Sequence, residues 1–222
     1  MNPANIIQDI LIDGPPLLLA ITLHEAAHGY AAKRLGDNTA YVLGRVTLNP
    51  LKHIDPIGTI LIPLLLKISG APFLFGYAKP VPVNFRNLNH PKRDMIWVAL
   101  AGPGSNLFQA LLWGLILSIP LGESDFSAYL IAMAQAGMVW NVILAVFNLL
   151  PLPPMDGGRI LVGLLPYSQA NAVSKLEPYG FFIVIGLAMT GILGSLWMNP
   201  LMNLAYSILD LILVPVQFLF RH

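Results

Sequence analysis

Long apolar runs, separated by short polar or proline-containing breaks, make up most of the chain. A run of about 18 or more apolar residues is long enough to cross the hydrocarbon core of a bilayer as a helix. The pattern predicts five transmembrane helices, at about Pro15 to Leu35, Met95 to Pro120, Ala128 to Leu150, Phe181 to Trp197 and Leu201 to Phe220.

The first run carries helix start and stop signals. Pro15 and Pro16 suit the first turn of a helix, and Gly36 suits the position after its last residue. Residues 3–13 are mixed and carry two aspartates, so we expect them to lie at the membrane surface. A shorter apolar helix is predicted from Asp156 to Leu165, after the proline-rich stretch PLPP.

Residues 57–75 are apolar but broken by Pro63, Lys67, Gly70 and Pro72. Proline and glycine in the interior of a helix weaken it, and a lysine is costly at membrane depth. This pattern predicts a re-entrant or interfacial segment that returns to the side from which it entered.

The charges agree with that topology. If the chain starts outside and residues 57–75 do not cross, all 12 Lys and Arg residues fall on the inner side or its margin. The acidic loop Leu121 to Ser127 then lies outside, as the positive-inside bias favours. A full crossing by residues 57–75 would instead place the basic cluster of residues 79–93 outside.

Two segments between the apolar runs favour extended backbone. Residues 41–53 alternate between apolar and polar positions and contain an Asn-Pro turn, which is typical of a strand. Residues 76–85 contain two prolines two positions apart, which excludes the interior of a helix. We predict a small membrane-associated β-sheet from these segments, the alternative being plain loops.

Composition supports a single membrane domain spanning residues 1–222. Hydrophobic residues make up 56% of the chain and charged residues 10%, against about 25% charged residues in soluble proteins. The fold class is therefore an all-α polytopic membrane protein with about five to six transmembrane helices. The chain contains no cysteine, which excludes disulfides and thiolate chemistry. No basic cluster is interleaved with aromatic residues, so we expect no nucleic-acid partner.

The first predicted helix contains the motif HEAAH, from His24 to His28. Positions i and i+4 share one helix face, so His24 and His28 can offer two ring nitrogens to one metal ion. Glu25 can serve as a general base toward a water molecule at that metal. The alternative is a histidine pair that hydrogen-bonds to neighbouring helices. A catalytic zinc also needs a third protein ligand.

Asp156 has the best setting for the third ligand. It follows a proline-rich break, begins a short helix and precedes two glycines that permit close packing. In the topology above, it reaches the same depth as His28. The alternative role is a helix-capping aspartate. The other candidate ligands lie in loops, at the terminus or in the last apolar run: His53, His90, His222 and Asp210.

Two asparagines complete the set of candidate residues. Asn106 lies inside an apolar helix, within the stretch LAGPGSNL, and Asn148 ends the next helix. Each could form hydrogen bonds between helices, which is common for membrane asparagines. Each could instead hold a substrate backbone or stabilise charge that develops on its carbonyl.

Three motifs, in this order, resemble the site-2 protease family (peptidase M50) of intramembrane zinc metalloproteases. They are HEAAH, GPGSN (Gly102 to Asn106) and NLLPLPPMDG (Asn148 to Gly157), and the resemblance covers about residues 15–165. Since many relatives carry a PDZ or CBS domain and no segment here is long enough for either, we expect the compact form of the family.

The resemblance implies a role for each candidate residue. It implies one Zn²⁺ per chain, held by His24, His28 and Asp156, with Glu25 as the catalytic base. It also implies that two amides, those of Asn106 and Asn148, help to hold an unwound substrate strand.

The reaction implied by this resemblance is hydrolysis of a peptide bond within or next to a transmembrane segment of a membrane-protein substrate, as in regulated intramembrane proteolysis. The substrate helix must unwind first, because its backbone groups are paired internally. An edge strand from residues 41–50 or 76–85 could receive the opened segment by strand addition.

We expect an integral protein of a prokaryotic cell membrane, surrounded by the lipid bilayer, with its active site toward the cytoplasm. The catalytic core is expected at about residues 15–165, with additional helices at 178–220. Two alternatives remain at this level. One is a metal transporter that uses the two histidines and the aspartate as a transit site. The other is a non-catalytic relative that binds membrane helices.

Overall fold

The computed structural model of the protein describes residues 3–70 and 76–220, with the side chains of residues 3–6 and of Lys67 left out. Within these ranges the protein is mainly helical. The α-helices are α1 (Pro3–Arg34), α2 (Thr39–Val42), α3 (Ile62–Ile68), α4 (Pro91–Leu117), α5 (Asp125–Asn148), α6 (Asp156–Leu164), α7 (Tyr167–Ser174), α8 (Gly180–Met189) and α9 (Asn199–Leu219).

Five helical stretches within the described ranges are long and apolar enough to cross a membrane. They are Ile7–Arg34, Pro91–Leu117, Asp125–Asn148, Tyr167–Met189 and Leu193–Leu219. This confirms the predicted all-α membrane protein with about five spanning helices.

Helices α1, α4 and α5 pack against one another, and α6 packs on α4. Small residues permit these close contacts: Ala20, Ala110 and Ala145 are fully buried. A Cβ added to Gly137 of α5 would lie 2.5 Å from the ring of Trp113 on α4. Small residues therefore let the three helices pack tightly, and Gly137 makes room for the large ring of Trp113.

Helix α1 begins at Pro3 rather than at the proline pair, so the predicted start at Pro15 is wrong. Proline has no N–H to donate to the carbonyl four residues earlier, which for Pro15 is that of Leu11. The hydroxyl of Tyr129 on α5 donates to this carbonyl instead, at 2.8 Å. A neighbouring helix thus satisfies the group that proline leaves free, and the helix continues.

The predicted β-sheet is wrong for the part of the chain that the structure describes, which includes both segments in full. Residues 39–42 form the short helix α2, and residues 43–53 consist of turns and a single 3₁₀ turn at Pro50–Lys52. The Asn-Pro turn was read correctly, since Asn49 caps that 3₁₀ turn by accepting a hydrogen bond from the N–H of Leu51. Hydrogen bonds to loops and side chains replace the expected ladder.

Residues 76–84 form neither helix nor strand, and we name them the 76–84 segment. From Tyr77 to Val81, every second N–H is bonded to the body of the protein. Tyr77 donates to the carbonyl of Gly58, Lys79 to that of His53, and Val81 to a carboxylate oxygen of Glu25. This alternation is that of an extended chain, as the two prolines predict.

The segment predicted to re-enter the membrane begins with a π-helical stretch, Pro56–Leu61, that continues into α3. The carboxylate of Asp55 accepts hydrogen bonds from the N–H groups of Ile57 and Gly58 and so caps its start. The apolar part, Pro56–Leu66, is shorter than the about 20 residues that a spanning helix needs. The last residues of the predicted segment, 71–75, lie outside the described ranges.

The break between the last two spans lies at Gly191, not before Leu201 as predicted. Gly191 has φ +74°, which ends α8. The following π-helical stretch, Leu193–Met198, runs directly into α9. Pro200 lies just after the junction of the two, in the first turn of α9.

Candidate metal centre

Helix α1 presents His24 and His28 one turn apart on the face toward α4, and Asp156 begins α6. The Nε2 atoms of the two histidines are 3.0 Å apart. Oδ2 of Asp156 lies 3.3 Å from each of them. Within residues 3–70 and 76–220, this is the one group of three His, Asp or Glu side chains whose donor atoms converge. The two histidines, one helical turn apart, and the predicted third ligand Asp156 thus converge at one point.

Gly102 of α4 makes room for the two imidazole rings. A Cβ added at this position would lie 2.4 Å from Nε2 of His28 and 2.6 Å from Cε1 of His24. Both distances are far inside van der Waals contact, and they involve ring atoms that the helix holds in place. The first glycine of the GPGSN motif is therefore part of the wall of the site.

The turn before α6 aims Asp156 at the histidines. A Cβ added to Gly157 would lie 2.0 Å from the carbonyl oxygen of Leu149, and one added to Gly158 would lie 2.2 Å from the nitrogen of Pro153. Only glycine fits at both positions, so the backbone can fold back tightly after α5. This places the first residue of α6 beside α1.

The far nitrogen of each histidine is also held. Nδ1 of His28 lies 2.7 Å from the carbonyl oxygen of Val98, and Nδ1 of His24 lies 2.6 Å from Oδ1 of Asn106. A backbone carbonyl can only accept, so His28 carries its hydrogen on Nδ1. When the ring is neutral, as it must be in a metal ligand, Nε2 then offers a lone pair to the site.

These atoms fit a zinc ion. Oδ2 of Asp156 is buried and has no hydrogen-bond partner among the described residues. Three protein atoms that share a tetrahedral zinc at about 2.0–2.1 Å stand about 3.3 Å apart, close to the separations given above. Two imidazole nitrogens and one carboxylate oxygen are also a donor set that catalytic zinc uses. Three converging lone pairs of this kind suit a metal cation.

Glu25 points to another side of α1 than its neighbour His24. Its Oε2 accepts a hydrogen bond of 2.7 Å from the N–H of Val81, in the 76–84 segment. Successive residues of a helix point about 100° apart, so Glu25 flanks the ligand group without joining it. The carboxylate is half-buried and already accepts from a peptide N–H.

The structure places the two predicted amides differently. Asn106 is fully buried and contacts His24, whereas Asn148 is half-buried at the end of α5. Nδ2 of Asn148 donates to the carbonyl of Leu144 in its own helix, at 2.9 Å. Their predicted role toward a substrate stays a prediction.

The alternative third ligands that the structure describes do not join the group. His53 is buried and its Nε2 lies 3.0 Å from the carbonyl oxygen of Thr47. His90 precedes α4 and its Nδ1 lies 3.8 Å from Asp94, while Asp210 is exposed on α9. His222 lies outside the described residues.

Two residues near the site were missed from the sequence. Asn141 of α5 is fully buried and hydrogen-bonds to Asn106 at 2.9 Å. The sequence signal for it was an amide inside an otherwise apolar helix.

Asp37, just after α1, is the second. It is fully buried and accepts hydrogen bonds from Thr39, Asn84 and Asn87. The neighbouring Thr39 suggests only a local turn, and the two partners that bury Asp37 against another segment, Asn84 and Asn87, are distant in sequence.

The hydrogen bonds to Asp37 affect its protonation. Burial alone would raise the pKa of this carboxyl, but the donors from Thr39, Asn84 and Asn87 outweigh burial and hold the pKa below its usual value. Asp37 therefore stays charged at neutral pH. It ties the end of α1 to the end of the 76–84 segment.

Comparisons with known proteins show which family the chain resembles. The family model of "Peptidase family M50" matches residues 113–191. The chain is 41% identical over 192 residues to "Putative zinc metalloprotease YwhC" of Bacillus subtilis (strain 168), with 84% of each chain covered. It is 32% identical over 174 residues to "Putative zinc metalloprotease Rip2" of Mycolicibacterium smegmatis, with 78% of this chain and 64% of the relative covered. No solved structure matches the chain.

The relatives show that the chain is a zinc metalloprotease by class, and its His-His-Asp group is a donor set of the kind that catalytic zinc uses. The similarity to the Bacillus protein extends over most of both chains. The chain belongs to peptidase family M50, the site-2 protease family.

Proposed function

We propose that the chain is an intramembrane zinc metalloendopeptidase, which hydrolyses peptide bonds within or next to transmembrane segments of membrane-protein substrates. The observation that carries this proposal is the depth of the site. His24 and Glu25 lie inside the membrane span Ile7–Arg34, about 15 Å of helix from its basic end at 1.5 Å per residue. A peptide bond must enter the membrane to reach them.

In this proposal His24, His28 and Asp156 hold the zinc ion. Zinc bound there would supply a Lewis acid that polarises the scissile carbonyl and lowers the pKa of the attacking water. The three side chains are largely buried, with 9–12% of each side chain exposed. Their burial keeps the donor set fixed and limits access by bulk water, which strengthens electrostatic interactions in the site.

Glu25 is proposed as the general base. Its carboxylate takes a proton from water as the water attacks the scissile carbonyl, and it then donates this proton to the nitrogen of the leaving amine. The N–H of Val81 donates to Oε2 at 2.7 Å, so an extended peptide segment already lies against this carboxylate. The same contact holds the carboxylate in place before a substrate arrives.

Residues 15–165 are proposed as the catalytic core, with residues 178–220 as additional helices. Asn148 is the better placed of the two amides for substrate, since its side chain is half-buried and lies eight positions before Asp156. An unwound substrate strand needs hydrogen-bond partners for its freed backbone groups. An amide side chain offers both a donor and an acceptor.

We also propose that the site opens toward the cytoplasm of a prokaryotic cell membrane. The basic end of α1, with Lys33 and Arg34, supports this orientation through the positive-inside bias. The shortness of the apolar stretch Pro56–Leu66 supports it as well. Labels attached at Ser124 should react from outside the cell, and labels at Asn89 from inside. Outside access at Asn89 would contradict this topology.

The activity is tested with purified full-length protein and a panel of single-span membrane proteins, with and without a chelator. We expect cleavage within or beside the membrane segment of at least one substrate, its loss with the chelator and its return when zinc is added. Cleavage confined to soluble peptides would contradict an intramembrane protease. Transport of zinc into vesicles without any peptide product would favour the transporter alternative.

A further inference from the structure

A buried chain of hydrogen bonds runs from His24 across three helices. Nδ1 of His24 on α1 lies 2.6 Å from Oδ1 of Asn106 on α4. Nδ2 of Asn106 donates to Oδ1 of Asn141 on α5 at 2.9 Å, and Nδ2 of Asn141 donates to the carbonyl of Gly137 at 2.8 Å. Both asparagines have 0% of their surface exposed. Bulk water therefore does not reach either amide.

The orientation of both amides follows from which groups can only accept. The carbonyl of Gly137 cannot donate, so the NH₂ group of Asn141 must face it. Oδ1 of Asn141 then faces Asn106 and requires a donor there. The carbonyl of Ala20, 3.2 Å from Asn106, requires a donor at the same place. Two independent acceptors thus fix the NH₂ group of Asn106 away from His24.

The consequence reaches the metal site. With its NH₂ group held by α1 and α5, Asn106 can present only its oxygen to His24. Nδ1 of His24 must then carry the hydrogen, and Nε2 of the neutral ring keeps the lone pair that a metal needs. If the amide of Asn106 were reversed, its NH₂ group would face Nδ1 and favour the tautomer with the hydrogen on Nε2. That tautomer has no lone pair on Nε2 and cannot bind zinc through this atom.

The second histidine shows why an additional residue is needed. His28 meets a backbone carbonyl, that of Val98, and a backbone carbonyl cannot reverse. His24 meets an amide side chain instead, and the two ends of an amide are nearly equal in shape. A second amide that accepts from Asn106 removes this ambiguity.

We propose that Asn141, acting through Asn106, is a positioning residue that fixes the tautomer of His24 and thereby raises the affinity for zinc. The inference rests on the proposed zinc ligands. It assigns Asn106 to the support of His24 rather than to the substrate.

The test is a double-mutant cycle on the dissociation constant for zinc, measured on the full chain by competition with a chromogenic chelator. Asn141→Leu should weaken zinc binding about 10–100-fold, as loss of a hydrogen bond that orients a metal-ligating histidine typically does. The matched control is Gln109→Leu, one turn from Asn106 on the same helix. The Gln109 amide is buried but has no hydrogen-bond partner among the described residues, so zinc binding should not change.

The second arm uses Asn106→Asp, which presents an acceptor to His24 whichever way the carboxylate turns. In that background Asn141→Leu should change the zinc affinity by less than about threefold, because there is no amide left to orient. A purely structural role of Asn141, as a link between α4 and α5, predicts instead that Asn106→Asp, which also breaks this link, weakens zinc binding as much as Asn141→Leu does, and that result would overturn the proposal. An unchanged affinity in Asn141→Leu alone would overturn it as well.

A further pair of variants, both at Asn106, controls for misfolding. Asn106→Leu should weaken zinc binding, whereas Asn106→Asp should retain it, although Asn106→Asp loses both donor links to Ala20 and Asn141. Equal loss in the two variants would contradict the positioning role. The underlying metal site is checked separately with His24→Ala: zinc retained at the wild-type level in that variant would refute the ligand assignment itself.

Discussion

The first three membrane spans and the last two differ in how much of their surface the protein covers. In Ile7–Arg34, Pro91–Leu117 and Asp125–Asn148, 28–39% of the residues in the apolar window are buried. In Tyr167–Met189 and Leu193–Leu219 the share is 11%. We call the first three spans together with α6 the site half, and the last two the C-terminal half.

Buried polar residues follow the same division. Every buried polar or charged residue in the described part of the chain lies at or before Asp156: Thr22, His24, Asp37, His53, Asp94, Asn106, Gln109, Ser127, Asn141 and Asp156. Burial of a polar group is costly unless it is paired or used. The site half carries the chemistry and its support, while the C-terminal half contributes apolar packing, such as Leu213 against Gly114.

The largest expected effect in the site half is that of Glu25→Gln. Glutamine keeps the size of the side chain but cannot accept the proton, and loss of a positioned general base typically costs 10²–10⁴-fold in rate. The variant should retain zinc at the wild-type level and still bind a membrane-helix substrate. Cleavage rates and zinc content measure the two effects separately. Cleavage at the wild-type rate in a chelator-sensitive assay would refute the mechanism.

The next effect concerns the wall of the site. Gly102→Ala would place a methyl group against Nε2 of His28, and such overpacking costs about 1–3 kcal/mol. We expect the zinc affinity to fall about 5–150-fold. Gly104→Ala is the matched control in the same motif, because its added Cβ meets none of the described atoms within 4 Å. Equal affinities in the two variants would mean that the rings can move aside.

Asp37→Asn tests the polar support outside the membrane. An amide would present its NH₂ group to one of the donors that now reach the carboxylate, which costs about 1–3 kcal/mol. Hydrogen bonds hold the pKa of Asp37 in the folded protein below its value in the unfolded chain. The charged carboxylate therefore stabilises the fold above about pH 4, and this stabilisation is lost as the pH falls through the pKa of the folded state. Thermal unfolding in detergent should show a lower Tm for the variant at pH 7 and a smaller loss between pH 5 and pH 3 than in the wild type. Parallel curves would exclude a charged Asp37.

The smallest effect is expected in the C-terminal half. Leu211 of α9 is 73% exposed, and exposed positions of this kind usually change the free energy of unfolding by no more than about 0.5 kcal/mol. Leu211→Ala should leave zinc affinity and cleavage unchanged. A clear fall in either would show that the last span takes part in the site, and the division drawn above would fail.

The sequence was most informative where one helix period decides the geometry. The spacing of His24 and His28 and the motif around Asp156 predicted a ligand group that the structure brings together. The start of α1 was misplaced because the donor that replaces the N–H missing at Pro15 comes from Tyr129, more than a hundred residues away. Asn141 was missed for a similar reason, since its role depends on a partner in another helix. Local patterns do not contain such contacts.

The two prolines of the 76–84 segment have a consequence beyond the exclusion of helix. Tyr77, Lys79 and Val81 direct their N–H groups inward, so the alternate positions face outward, and two of these are Pro80 and Pro82, which have no N–H. The outward edge therefore has more acceptors than donors, although the carbonyl of Pro80 already accepts a hydrogen bond from Arg45 at 3.3 Å. A second chain laid along it can donate hydrogen bonds but receives few in return, which blunts edge-to-edge aggregation. A polypeptide that binds there would do so by donating its own N–H groups to this edge. A proline at one of the donating positions would weaken binding, because it has no N–H.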